Sequence, residues 1–326
     1  MKYSLTAAAL LCVSASLAGA ASFDEIYGFG DSLNDCCQNP QAPFTNGPDS
    51  WLVEFAGLIG ANYTDNPVTN YATGGAQSGP LNAISGGGVA QLNGLQSQIN
   101  QFKIDAPAID GDDLAVIWVG TNDIWPSSYE GDTLFGLPNL EIVKPLGLNP
   151  APIDLAEYIS ANIQTAVRHL RNGGFEQVLL LTPYDIGDSA LFDVPGGPAQ
   201  NTAYSEALRD ALLTLYTPGI DTYVLDVLDL IRELQAGSPG NGFLELTTDP
   251  SCTFGPIVCE DRPQSEQDSF IYLDIVHFTT ATNSVVAEAA AGTLLEGTPV
   301  APIPLPAGGL LLVAALGGLL LVRRRA

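Results

Sequence analysis

The chain has 326 residues, is 46% hydrophobic and carries 34 glycines and 23 prolines, so it can bury a core and lacks the charge-rich, aromatic-poor balance of disordered chains. Eleven Lys and Arg against 36 Asp and Glu leave a formal net charge of −25. A surface this acidic repels phosphate backbones and anionic headgroups, which speaks against nucleic-acid binding and electrostatic docking on acidic lipid.

Lys2, the apolar small-residue run from Leu5 to Leu17, and Ala18-Gly19-Ala20 form the charged, hydrophobic and cleavage regions expected of a secretory signal peptide over residues 1–20. The mature chain is expected to start near Ala21, just ahead of the first acidic residues, Asp24 and Glu25.

From there apolar, β-rich segments alternate with helical patterns. Ile26 to Phe29 reads as a strand, Ser50 to Ile59 as a helix, Val68 to Ala72 as a short strand and Val89 to Ile104 as a helix. Leu114 to Val119, Val178 to Thr182 and Tyr223 to Val227 read as strands. Between and after them, Leu155 to Leu170, Ala199 to Leu215 and Thr280 to Leu295 read as helices. The first of these puts Leu155, Ile159, Ile163, Ala166, Val167 and Leu170 on one stripe, and Gly173-Gly174 ends it. Repeated β-α units predict a parallel sheet with helices on both faces, in one α/β domain over residues 21–296. Ile124 to Asp154 forms a long insertion with Trp125, Tyr129, Leu134, Phe135, Leu137, Leu140 and Ile142. Beside an active site it would serve as an apolar binding wall; otherwise it is a packed Ω-loop.

Residues 297–306 are Pro-rich, and residues 307–326 hold sixteen uncharged residues, Ala307 to Val322, followed by Arg323, Arg324, Arg325 and Ala326. Sixteen helical residues span ~24 Å, a short membrane stop whose Arg flank would lie on the cytoplasmic side. The Pro-Leu-Pro-Ala motif, the Gly-rich apolar helix and the Arg cluster resemble the PEP-CTERM sorting signals in their VPLPA variant, with Ile303 in place of Val. That resemblance implies recognition by an exosortase-type enzyme and delivery to the cell surface. A permanent anchor is the alternative.

Once Cys12 leaves with the signal, Cys36, Cys37, Cys252 and Cys259 remain. They allow three pairings in an oxidising compartment, with the short Cys252–Cys259 loop preferred. Two His and no Cys-x-x-Cys pair speak against zinc, and Asp110-Gly-Asp-Asp113 lacks the further ligands of a calcium loop. No metal or cofactor is expected.

Active sites in parallel sheets form beyond the carboxyl ends of the strands. Gly30-Asp31-Ser32-Leu33 follows the first strand, Asn70-Tyr-Ala-Thr-Gly74-Gly75-Ala the second, and Gly120-Thr121-Asn122-Asp123 the third; Asp274-Ile-Val-His277 comes late. A second Gly-Asp-Ser, at Gly187 to Ser189, has no strand directly before it. A serine hydroxyl needs a base to become a nucleophile, and imidazole titrates near working pH. His277 stands three residues after Asp274, a spacing that in a helical turn brings a carboxylate to the ring, whereas His169 lies off the apolar stripe of its helix. Gly75 lets a backbone N–H approach an oxyanion, with Gly74 as the alternative by one register step. Asn122 supplies a neutral amide donor. Asp31 and Asp123 read as local braces. No Gly-x-Ser-x-Gly elbow occurs, so an α/β-hydrolase lacks its nucleophile here.

The four blocks and their order resemble the SGNH, or GDSL, family of lipases and acylhydrolases over nearly all of residues 23 to 295. The resemblance implies a flavodoxin-like three-layer α/β/α fold. It further implies Ser32, Asp274 and His277 as a catalytic triad, and Ser32, Gly75 and Asn122 as oxyanion donors. Cys36-Cys37 and the long insertion depart from the family pattern and bear on substrate shape. The expected activity is that of an exported serine esterase or lipase acting on a small-molecule or lipid ester. A polysaccharide deacetylase with the same site and a non-catalytic surface protein are the rival readings.

Overall fold

The computed structural model describes residues 23–38, 42–85, 91–128, 141–142, 145–147, 149–188, 197–237, 252, 259–274 and 276–302. The expected signal peptide and the expected terminal helix over 307–326 lie outside these residues. Among the described residues no helix is long and apolar enough to cross a membrane.

Four parallel strands form the sheet in the order β1, β3, β5, β6: β1 is Ile26–Gly30, β3 Leu114–Trp118, β5 Gln177–Leu181 and β6 Asp221–Leu225. Every residue of β1 and β3 is buried, because helices cover both faces and the in-out alternation of a half-exposed strand disappears. On one side α1 (Trp51–Ile59) packs against α8 (Thr280–Glu296). On the other, α4 (Pro152–Gly173) packs against α2 (Leu95–Asp105) and α5 (Gly197–Leu213), completing a three-layer α/β/α sandwich. The stripe of α4 is buried along its whole length, from Leu155 to Leu170, and Gly174, at φ 117°, ends the helix in a left-handed turn.

The expected strand at Val68 to Ala72 is present only as an isolated bridge from Asn70 to Gly28. Parallel-type bonds nevertheless run along β1, from Gly28 N–H to Thr69 O (2.9 Å), Tyr71 N–H to Gly28 O (2.8 Å) and Thr73 N–H to Gly30 O (3.0 Å). Asn66 shortens the strand, since its Oδ1 accepts from the N–H groups of Val68 and Thr69 and curls the backbone out of the ladder. The helix expected from Val89 starts only at Leu95, because Gln91 is engaged through its carbonyl by the Asn82 N–H.

Further elements were not expected. α3 (Thr121–Ser128) takes in Ile124 and Trp125, so the insertion starts inside a helix. Its residues 129–140 lie outside the described ones. Glu141–Ile142 (β4), within the insertion, pairs antiparallel with Ile84–Ser85 (β2), in the segment that follows Gly75. α6 (Val227–Gln235) is capped by the Asp226 side chain, and a short α7 covers Gln264–Gln267. After α8, Val300 N–H donates to Thr222 O at 2.8 Å, so the start of the Pro-rich segment lies along the open edge of β6. Cys252 and Cys259 are bridged, and Cys36 is joined to its neighbour Cys37.

Candidate active site

β1 ends in Gly30, whose φ of 131° and close approach to β3 admit no side chain: a Cβ there would stand 1.9 Å from Trp118 O. That approach lets Asp31 N–H bond Trp118 O (3.0 Å), and the chain then winds through one turn, Asp31 O accepting from Asn34 and Asp35 N–H. The turn lifts Ser32 above the sheet. It is braced from several sides. Gln98 of α2 accepts from Gly30 N–H and donates to Gly30 O, both at 2.8 Å, and Asp31 Oδ1 accepts from Leu33 N–H. Asn34 donates to Phe29 O and accepts from the Trp51 indole.

Opposite Ser32, just before α8, lies the segment carrying Asp274 and His277. Its geometry is not the helical turn that the spacing suggests. Asp274 Oδ1 accepts from the N–H groups of both Val276 and His277 at 2.8 Å, an Asx-type turn. That leaves Oδ2 to meet His277 Nδ1 at 2.7 Å, while His277 Nε2 stands 2.9 Å from Ser32 Oγ. Burial alone would push Asp274 up, but the facing His277 and the two backbone donors outweigh it and hold the carboxyl at about 2. The Tyr184 hydroxyl donates to Val276 O at 2.8 Å, and Phe44 stacks on the imidazole.

Gly75 and Asn122 line the same cavity as Ser32 and His277, of about 340 Å³, whose apolar wall includes Leu33, Phe44 and Trp125. Gly75 has φ 80° and is buried. Asn122 sits in the first turn of α3, its carbonyl accepting from the Gln77 amide at 3.0 Å. Asp123 accepts from the N–H and hydroxyl of Ser78, both at 2.8 Å, and so ties α3 to the glycine loop; burial pushes this carboxyl up to about 7. Asp31, fully buried, is likewise raised to about 7 by burial. Gly74 is turned the other way, its N–H held by Asp35 Oδ2 at 2.8 Å. His169 lies elsewhere, on α4. Among the described residues no group of three His, Cys, Asp or Glu side chains could hold a metal ion.

A serine, an imidazole and a carboxylate in one hydrogen-bonded line, beside a glycine and an asparagine facing one cavity, make an arrangement suited to acyl transfer. The sequence profile of the GDSL-like Lipase/Acylhydrolase family matches residues 29–282, from the end of β1 into α8. The chain belongs to that family. The family's description groups lipases and acylhydrolases. A phosphatidylcholine-sterol acyltransferase of Aeromonas hydrophila is 33% identical over 121 residues, covering 31% of this chain and 33% of that protein. The match thus spans about a third of that relative. Among solved structures, the aryl esterase of M. smegmatis aligns at 15% identity with a TM-score of 0.45, over 83% of this chain and 98% of that one. The acetylxylan esterase Axe2 of Geobacillus stearothermophilus aligns at 13% with a TM-score of 0.41, over 84% and 96%.

No sequence pattern in this family member marks Phe44, Tyr184, Asn82 or Gln98. Phe44, Tyr184 and Gln98 act across the fold, through contacts with distant segments, while Asn82 reaches Gly74 eight residues away.

Proposed function

We propose that the chain is an exported serine esterase that cleaves carboxylic esters through an acyl-enzyme on Ser32. The observation that supports this most is the line from Asp274 Oδ2 through both ring nitrogens of His277 to Ser32 Oγ, with separations of 2.7 and 2.9 Å, opening on the cavity. His277 Nε2 takes the hydroxyl proton as Ser32 attacks the ester carbonyl. The N–H groups of Ser32 and Gly75 and the Asn122 amide receive the oxyanion. His277 then returns the proton to the leaving alcohol, and water repeats the sequence to free the acid. Asp274 stays ionised throughout and fixes the ring so that Nε2 faces the serine. Leu33, Phe44 and Trp125 give the acyl group an apolar wall.

Hydrolysis of p-nitrophenyl esters from acetyl to palmitoyl tests this reading, with Ser32→Ala and His277→Ala as controls. Turnover is expected in the wild type and abolished in both variants, because either loss disables acylation. Equal turnover in folded Ser32→Ala protein overturns it.

Export is proposed from Lys2 and the apolar run behind it, and delivery to the cell surface from the Pro-Leu-Pro-Ala motif, the apolar stretch and the Arg cluster. An exosortase-type enzyme is the partner this implies, with transient attachment to the inner membrane. Mass spectrometry of surface material checks it: a C-terminus before Leu310 supports sorting by cleavage, and an intact Ala326 leaves a permanent anchor.

A further inference from the structure

The N–H of Gly75 and the C=O of Gly74 belong to one planar trans peptide, so they point in opposite directions and whatever holds the carbonyl aims the N–H. Asn82 holds it: its Nδ2 donates to Gly74 O at 2.7 Å. The peptides on either side are fixed separately, Gly74 N–H by Asp35 Oδ2 and Gly75 C=O by Ala83 N–H, both at 2.8 Å. The peptide between them joins two glycines, the second at φ 80°, and this backbone has little steric resistance of its own to rotation. Asn82 supplies that resistance. It is 2% exposed, its own N–H is held by Gln91 O, and its amide packs so close to Gly75 that a Cβ there would meet Oδ1 at 2.4 Å.

We infer that Asn82 is a positioning residue for the reaction, aiming the Gly75 N–H at the cavity and polarising it through the shared peptide. This rests on the proposed role of Gly75 as an oxyanion donor. A bond donated into a carbonyl draws electron density from its amide nitrogen and makes that N–H a stronger donor. Asn82 does not touch the ester carbon; it acts by fixing where the developing negative charge finds its partner, and its loss belongs in kcat with KM little changed.

Two substitutions separate this role from packing. Asn82→Asp keeps the shape but sets a carboxylate oxygen against Gly74 O, repelling the carbonyl and turning the peptide away. Asn82→Ala removes the donor and leaves a small hole. Positioning predicts that Asn82→Asp loses up to roughly 10²-fold in kcat and Asn82→Ala less, with KM within about threefold for both. Packing alone predicts the reverse order, since the isosteric change disturbs a core least. The assay is p-nitrophenyl acetate hydrolysis by full-length protein, with thermal melts to establish folding. Unchanged kcat in both variants, a larger loss in Asn82→Ala, or a loss confined to KM overturns the inference. Should Asn82→Asp fail to fold, the preference of wild type and Asn82→Ala for an ester over its thiono analogue decides instead. A well-aimed donor favours oxygen over the poorer acceptor sulfur, so the preference must shrink in the variant, and an unchanged preference overturns the inference. Wild type inert toward every ester overturns the esterase reading together with this inference, whereas active wild type with unaltered variants overturns this inference alone.

Discussion

Phe44 lies flat against His277, with ring centroids 4.6 Å apart and planes 16° from parallel. Phe44 comes from the loop between β1 and α1, so the imidazole is held on its face by one segment and on its Nδ1 edge by Asp274 of another. A ring fixed in this way has little freedom to swing away from Ser32. Phe44→Ala should lower kcat roughly 10-fold or more, since a misplaced base costs rate steeply, while Phe44→Tyr should retain most of it. Steady-state kinetics on p-nitrophenyl acetate checks this, and equal rates for Phe44→Ala and wild type would show that the stacking positions nothing.

Asp274→Asn retains an oxygen to accept from the Val276 and His277 N–H groups, so the turn should survive. Its amide nitrogen would then face Nδ1 and hold the ring in the tautomer whose proton sits on Nε2, the nitrogen proposed to accept one from Ser32. A kcat loss of roughly 10²- to 10⁴-fold follows, with an unchanged melting temperature. Because the Asp274 carboxyl titrates at about 2, the wild-type profile should show no further acid limb from this group above pH 4.

Asp31 is fully buried, and burial lifts its carboxyl from 3.8 to about 7, against the opposing pull of the Leu33 N–H, His277 and the Asn122 side chain. Between pH 4 and 7 the folded chain therefore keeps a proton that the unfolded chain has released. Stability contributed by this group is full below pH 4, falls as pH rises through 7, and is level above. Asp123 acts in the same direction. Asp31→Asn, neutral at every pH, should match wild type near pH 4 and melt several degrees higher at pH 8. Calorimetry at both values reads the difference, and a gap that does not change with pH contradicts it.

The Cys252–Cys259 bridge, with an S–S distance of 2.02 Å, closes a short loop next to the His277 segment: Cys252 N–H donates to Tyr272 O at 2.7 Å, and Arg262 donates to Cys252 O at 2.9 Å. Its loss should cost about 2 to 3 kcal/mol by the loop-entropy argument. Cys252→Ala with Cys259→Ala should thus melt lower and lose activity at temperatures where wild type is stable. An unaltered melting curve would show that the loop is held by its hydrogen bonds alone.

The strands β1, β3 and β5 were legible because parallel strands buried on both faces read as unbroken apolar runs, and α4 because its stripe keeps helical spacing over about four turns. α6 was hidden by Val227, which the apolar run of β6 claims as its own. The signal was there: Asp226 before Val227, Leu228, Ile231 and Leu234 is a capped amphipathic helix, and the buried set agrees. α3 had no such signal, being a short polar segment with Pro126 inside it. At the site, the short blocks around Ser32, Gly75, Asn122 and His277 stood out because each follows an element in a recognisable order. The residues that hold them did not, because Phe44 and Tyr184 meet partners far along the chain, and Asn82 meets Gly74 through a loop that no local pattern marks. The spacing of Asp274 and His277 pointed to the contact but to the wrong backbone, since an Asx turn brings the same two side chains together without a helix.

The nucleophile is tested most directly by covalent labelling of the folded, full-length protein with a fluorophosphonate, followed by peptide mapping. The hydroxyl facing His277 Nε2 at 2.9 Å should carry the label, on the peptide containing Ser32 and on no other, and labelling should vanish in Ser32→Ala. A label on another serine, or none on protein that turns over esters, would contradict the assignment.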